Sequence, residues 1–105
     1  MQKEKENLII QTVSDIIGVP VKDVCSKKRT KEVAEARFII FYLLREAHYS
    51  FNRIARMFDR NHTSVIHGVK KVKQVERLNN MMLYIDHEIY KKLTDENELR
   101  TSKTT

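Results

Sequence analysis

Glycine occurs twice and proline once in 105 residues, and tryptophan is absent. So few chain-breaking residues exclude a turn-rich β architecture, while abundant Glu, Lys, Arg, Ile, Leu and Met favour helices joined by short connections. One cysteine, Cys25, excludes an intramolecular disulfide. No apolar run approaches the roughly eighteen residues of a membrane span, and nothing resembles a signal peptide. A cytoplasmic, nucleoid-associated protein with no membrane partner is the expectation. The phosphate-loop pattern G-x-x-x-x-G-K-[ST] is also missing. His48, His62, His67 and His87 with the single cysteine offer no i, i+4 ligand pair, so no metal site is expected. His62 and His67 are five apart, about 140° around a helix from each other, with no acid placed to orient either. No enzymatic activity and no cofactor are expected.

Lysine and arginine outnumber the carboxylates by 20 to 14, and the excess is unevenly spread. Residues 22–37 carry six cations against three anions and residues 53–77 seven against two, whereas residues 78–98 carry two against five. Basic charge gathered in two mid-chain blocks points to an anionic partner, provided the blocks share a face.

At this length one small all-α domain of about five to six helices is expected. Leu8, Ile9, Val13, Ile16 and Ile17 recur at helical spacing between Lys3 and Ile17, and Gly18 and Pro20 end that segment. Val21, Val24 and Cys25 allow one short turn. Thr30 is placed to cap a long helix through Ala47, with Val33, Ala36, Ile40, Leu43, Leu44 and Ala47 on its apolar side and Arg37 and Arg45 outside it. Ser50 is placed to cap a short helix from Phe51 to Phe58. After Asp59, Arg60 and Asn61, the residues Val65, Ile66, Val69, Val72 and Val75 again follow helical periodicity, giving a helix over 62–78. Asn79 and Asn80 read as a break before a further helix, 79–94, in which Met82, Ile85, Ile89 and Leu93 supply the apolar side. Residues 95–105 read as a polar, frayed tail.

A short helix, about three connecting residues and a second helix have the spacing of a helix-turn-helix. In RNHTSVIHGVKKV, residues 60–72, Asn61 is placed to cap, so His62, Thr63 and Ser64 fall in the first turn of the second helix. Small donors and acceptors there suit the base edges of a major groove. His67, Lys70 and Lys71, one turn on, suit its phosphates. Capping alone explains Asn61 equally well; the basic run Lys27 to Lys31 and the short basic helix upstream favour DNA.

Over residues 8–78 the sequence resembles the carboxy-terminal DNA-binding domain of the bacterial chromosomal replication initiator DnaA. The resemblance lies in SKKRTKEV, in FYLLRE, in SFNRIARMF and above all in RNHTSVIHGVKKV, beside that family's R-D-H-T-T-V-x-H-x-x-x-K. It implies a Trp repressor-like helical fold that binds double-stranded DNA sequence-specifically, with Asn61, His62 and Thr63 at base edges and Ser64 beside them. It further implies that Arg29 enters the adjacent minor groove from the basic loop. Lys27, Lys28, Thr30, Lys31, Arg37, Arg45 and Arg60 would meet the backbone, and the helix start at Phe51 and Asn52 would offer N–H groups to phosphate.

The sequence departs from the family at three places. Asn61 replaces an aspartate suited to a cytosine amine with an amide suited to bidentate pairing with adenine. Asp59 stands where two glycines are usual. Glu35, Ala36, Arg37 and Phe38 stand for arginine-proline-arginine-glutamine. Without a phosphate loop the chain is not a complete initiator, and its initial methionine and added helix favour a free-standing DNA-binding protein. The competing expectation is a basic helical protein-interaction module or a non-specific DNA-binding regulator, with self-association through residues 79–94, where Met81, Met82, Ile85 and Ile89 would form the dimer or partner surface.

Overall fold

A computed structural model describes the backbone of residues 2–104 and the side chains of residues 3–94. The described residues form six α-helices and no strand: α1 Gln2–Ile17, α2 Val21–Val24, α3 Lys31–Glu46, α4 Phe51–Met57, α5 His62–Gln74 and α6 Glu76–Thr104. The all-α expectation holds. No helix among the described residues is long and apolar enough to cross a membrane.

Three helices end on a residue with positive φ: Gly18 (84°), His48 (72°) and Asp59 (52°). The N–H of the following residue then reaches back five positions, Val19 to Ser14, Tyr49 to Leu44 and Arg60 to Ala55, satisfying carbonyls the helix leaves open. Asp59 thus occupies a left-handed position. Glycine fits there without the steric cost of a Cβ, about 1 kcal/mol or more, and aspartate is among the residues that tolerate it. That is why the connection between α4 and α5 closes without a glycine.

α3 is the central element. Ile39, Ile40, Phe41, Leu43 and Leu44 are buried on it, and α1, α2, α4, α5 and α6 all pack around it. The buried surface is broader than the expected stripe, because a helix covered on several sides has few solvent-facing positions. Arg37, expected outside that stripe, is 4% exposed. Ile16, expected inside the apolar face of α1, is instead 40% exposed, and Thr12 and Ser14 are buried there.

The helix expected over 62–78 ends at Gln74, and Asn79 and Asn80 are not a break. The break is Val75, with φ −97° and ψ 110°. Its N–H donates to Lys71 and its carbonyl accepts from Asn79, so one extended residue finishes α5 and starts α6. The expected separate helix 79–94 is therefore the interior of α6. Leu78, Met82, Ile85 and Ile89 are buried, whereas Leu93, expected on the same side, is 38% exposed; Lys92 Nζ donates to Thr12 Oγ1 across the α1–α6 contact at 3.1 Å. Arg77 pairs through both terminal nitrogens with the Glu35 carboxylate, tying α6 to α3. The acidic departure at Glu35 thus has a partner within the fold. Helical backbone continues to Thr104, through most of the segment 95–105 expected as a polar, frayed tail, whose side chains lie outside the described residues.

Candidate nucleic-acid interface

Asn61 caps α5: its Oδ1 accepts from the Ser64 N–H at 3.0 Å and also from the Ser64 hydroxyl at 3.3 Å. The cap leaves His62, Thr63 and Ser64 exposed in the first turn, beside N–H groups that lack helical acceptors. It also uses both lone pairs of the Asn61 carbonyl, so only the amide donors are free. Bidentate pairing with adenine, expected from the sequence, therefore requires the Ser64 hydroxyl to turn away.

The basic loop between α2 and α3 is fixed from three directions. Within it, Ser26 Oγ donates to the Asp23 carbonyl at 2.7 Å and accepts from the Lys28 N–H at 3.1 Å. From the helix-turn-helix, Lys27 Nζ donates to the Asp59 carbonyl at 2.6 Å, and Arg60 Nη2 to the Ser26 carbonyl at 3.0 Å. From α3, Arg37 Nε donates to Val24, and Nη2 is shared among the carbonyls of Asp23, Ser26 and Lys28, all at 3.0–3.3 Å. Burial, and then the nearby Arg60 and Arg29, push the Arg37 pKa down, with Cys25 opposing. Arg29, at the loop's far side, is exposed and has no ion-pair partner among the described residues.

Phe38 of α3 sets the seat of α5. Its ring meets the His67 ring edge-on at 5.9 Å, and both Phe38 and Phe41 press on the backbone at Gly68. Between this contact and the loop lies a concavity of about 590 Å³, whose walls include Arg29, Arg37, Phe38, Arg60, Asn61 and His67. Thr63 and Ser64 also line it. His62 is exposed one position away, at the start of α5.

The remaining expected contacts are distributed around this centre. Lys70 and Lys71 are exposed on α5, and Lys31 is exposed at the start of α3. Thr30 occupies the N-cap position of α3 with no capping bond from its side chain. Lys28 pairs with Asp23 at 3.2 Å. Arg45 lies eight residues beyond Arg37, about 12 Å farther along α3. There it stacks over Phe51 at 4.6 Å from the ring centre and donates to the Tyr49 carbonyl at 3.1 Å. Phe51 and Asn52 open α4, which Ser50 caps through a bond from the Arg53 N–H at 3.1 Å. Arg37, expected at phosphate, is the one such residue buried, with its donors turned onto backbone carbonyls.

The role of Phe38 against Gly68 escaped the sequence reading, although a signal existed: one of only two glycines falls in the middle of α5, where a close neighbour is the usual reason. The Arg60–Ser26 and Arg37–Ser26 links had no comparable signal. Among the described residues no three histidine, cysteine or carboxylate side chains gather to hold a metal ion.

Residues 7–72 match the family model described as the bacterial dnaA protein helix-turn-helix. Curated relatives named chromosomal replication initiator protein DnaA include that of Aliarcobacter butzleri, 35% identical over 83% of this chain and 22% of its own length. That of Pseudothermotoga lettingae is 34% identical over 74% of this chain and 18% of its own. A crystal structure described as that of a DNA replication initiation factor aligns with a TM-score of 0.71 at 31% identity, covering 87% of this chain and 31% of the other. The chain thus spans about a fifth of the length of these curated relatives. By the match over most of its length and by its helical architecture, the chain belongs to the bacterial DnaA carboxy-terminal helix-turn-helix family.

Proposed function

We propose that this chain reads double-stranded DNA sequence-specifically, with the start of α5 in the major groove and the basic loop at the adjacent minor groove. Asn61, His62 and Thr63 meet base edges, Arg29 enters the minor groove, and Lys27, Lys28, Thr30, Lys31, Ser64, His67, Lys70 and Lys71 serve the backbone. Arg45 and the N–H groups at Phe51 and Asn52 serve phosphate farther along. The observation that carries this reading is that one concavity has Arg29 of the loop, the cap residue Asn61 and Thr63 of α5 among its walls. The two mid-chain basic blocks thereby meet. Membership of the family supports a replication-origin type of target, with no ATP-dependent step assigned to these residues.

At Asn61 the free groups are donors, so the base read there presents an acceptor in the major groove, such as guanine N7 or O6 or thymine O4. Selection from a random duplex pool at two salt concentrations tests the reading. The expected outcome is one enriched motif and an affinity that falls steeply with salt, with a slope reflecting several displaced counterions. Absence of both enrichment and affinity near physiological salt contradicts it and leaves the protein-interaction module.

A second reading concerns α6, where Leu83, Tyr84 and Tyr90 are 54%, 57% and 67% exposed. Leu83 and Tyr90 are seven apart and share a face, which supports contact between copies of the chain. Sedimentation equilibrium of the wild type and of Leu83→Glu tests it: concentration-dependent association is expected only in the wild type.

A further inference from the structure

Arg37 and Arg60 come from different elements, α3 and the connection before α5, yet both donate Nη2 to the Ser26 carbonyl at 3.0 Å. We propose that they are positioning residues which fix the minor-groove loop to the start of the recognition helix, so that Arg29 and the α5 side chains form one rigid reading head. The inference rests on the DNA reading above and assigns to Arg37 and Arg60 a role other than the backbone contact expected from sequence.

Three observations carry it. Arg37 is 4% exposed and donates to four carbonyls, those of Asp23 and Val24 at the end of α2 and of Ser26 and Lys28 in the loop. Val24 closes α2, where carbonyls lack helical donors and a cation is favoured, while the Asp23 carbonyl also accepts from Ser26. The Lys28 carbonyl is one peptide bond from Arg29, so the anchor ends next to the residue it would aim. Second, the loop is joined to the helix-turn-helix connection at two adjacent residues, by Lys27 to the Asp59 carbonyl and by Arg60 to Ser26. Asn61, the cap of α5, follows directly. Third, Arg60 Nε is buried without a hydrogen-bond partner. The half-buried Arg60 guanidinium thus keeps its Nε edge against the protein while Nη2 serves the loop carbonyl.

The planar guanidinium is what this arrangement needs. Lysine retains the charge but presents a compact, strongly hydrated ammonium that cannot serve carbonyls spread along the loop. Arg37→Lys therefore separates charge from geometry. If Arg37 contacted phosphate, lysine would substitute for it with most of the affinity and all of the sequence preference intact.

The test is duplex-pool selection with the wild type, Arg29→Ala, Arg37→Lys, Arg60→Lys and the Arg29→Ala/Arg37→Lys double variant, with hydrogen exchange of the free proteins and circular dichroism to verify folding. The expected result is that Arg37→Lys loses the flanking A·T preference to the extent that Arg29→Ala does, roughly tenfold in relative affinity, while the preference read by α5 persists. The double variant should lose no more than Arg29→Ala alone. Amides of residues 25–30 should exchange about tenfold faster in Arg37→Lys, with α5 amides unchanged. Arg60→Lys severs the same joint from the other side, is less buried, and should reproduce the loss if Arg37→Lys fails to fold. Flanking preference unchanged in the folded lysine variants, or an affinity loss uniform across sequences, overturns this inference alone. A wild type that enriches no sequence overturns the DNA reading beneath it.

Discussion

Phe38 and Gly68 fit so closely that a Cβ on Gly68 would lie 2.7 Å from Phe38 Cδ1 and 3.0 Å from Phe41 Cδ2. Alanine in a helix interior is ordinarily about 1 kcal/mol better than glycine. Overpacking at this joint costs about 1–3 kcal/mol, and Phe41, 1% exposed, has little room to move. Gly68→Ala is therefore expected to lower stability by about 1 kcal/mol net in denaturant titrations. In a Phe38→Ala background the same substitution should lose most of that penalty. A clear stabilisation by Gly68→Ala in the wild-type background would show that α5 is free to shift.

Ser64 controls what Asn61 presents. The Ser64 hydroxyl occupies the second lone pair of Asn61 Oδ1, while the Ser64 N–H holds the first. Ser64→Ala keeps the backbone capping bond and frees an acceptor. The base preference at this position should then shift toward adenine, which needs donor and acceptor together, while thermal stability changes by less than about 0.5 kcal/mol. Selection with the variant measures the shift, and an unchanged preference would mean that the hydroxyl does not limit Asn61.

Alkaline stability should depend on Tyr49. It is 4% exposed, and burial followed by Glu6 raises its pKa above the usual tyrosine value, with Arg53 opposing. Tyr42 is raised by burial and then by Glu46. A raised pKa in the folded chain means that the unfolded chain ionises first. The contribution is thus complete below about pH 10 and is lost as pH rises through the folded value, at up to about 1.4 kcal/mol per pH unit for each group. Tyr49→Phe should flatten the decline in melting temperature above about pH 10, and an identical decline would rule out Tyr49 as its source.

Much of this fold is legible in its sequence because the signals are local. Gly18, Ser50 and Asn61 mark helix ends by their own chemistry, and the apolar spacing of α3 and α5 locates the core. Val75 carries no such mark: Val72, Val75 and Leu78 continue a helical spacing, and the break is visible only where the chain turns from α5 into α6. Arg37 misled for a related reason. An arginine on a helix reads as solvent-facing until carbonyls 9–14 residues upstream fold over it. The leading turn of α5 was located from sequence, but the engagement of the Asn61 carbonyl with Ser64 depends on rotamers that spacing does not encode.

If the start of α5 reads base edges while Arg29 reads the flank, substitutions at the two places should alter different positions of the target. Duplex-pool selection with His62→Ala and Arg29→Ala beside the wild type measures this most directly. The account predicts that His62→Ala loses preference within the core of the enriched motif, whereas Arg29→Ala weakens binding and relaxes preference only at flanking A·T positions. An enriched motif unchanged by both substitutions would contradict it.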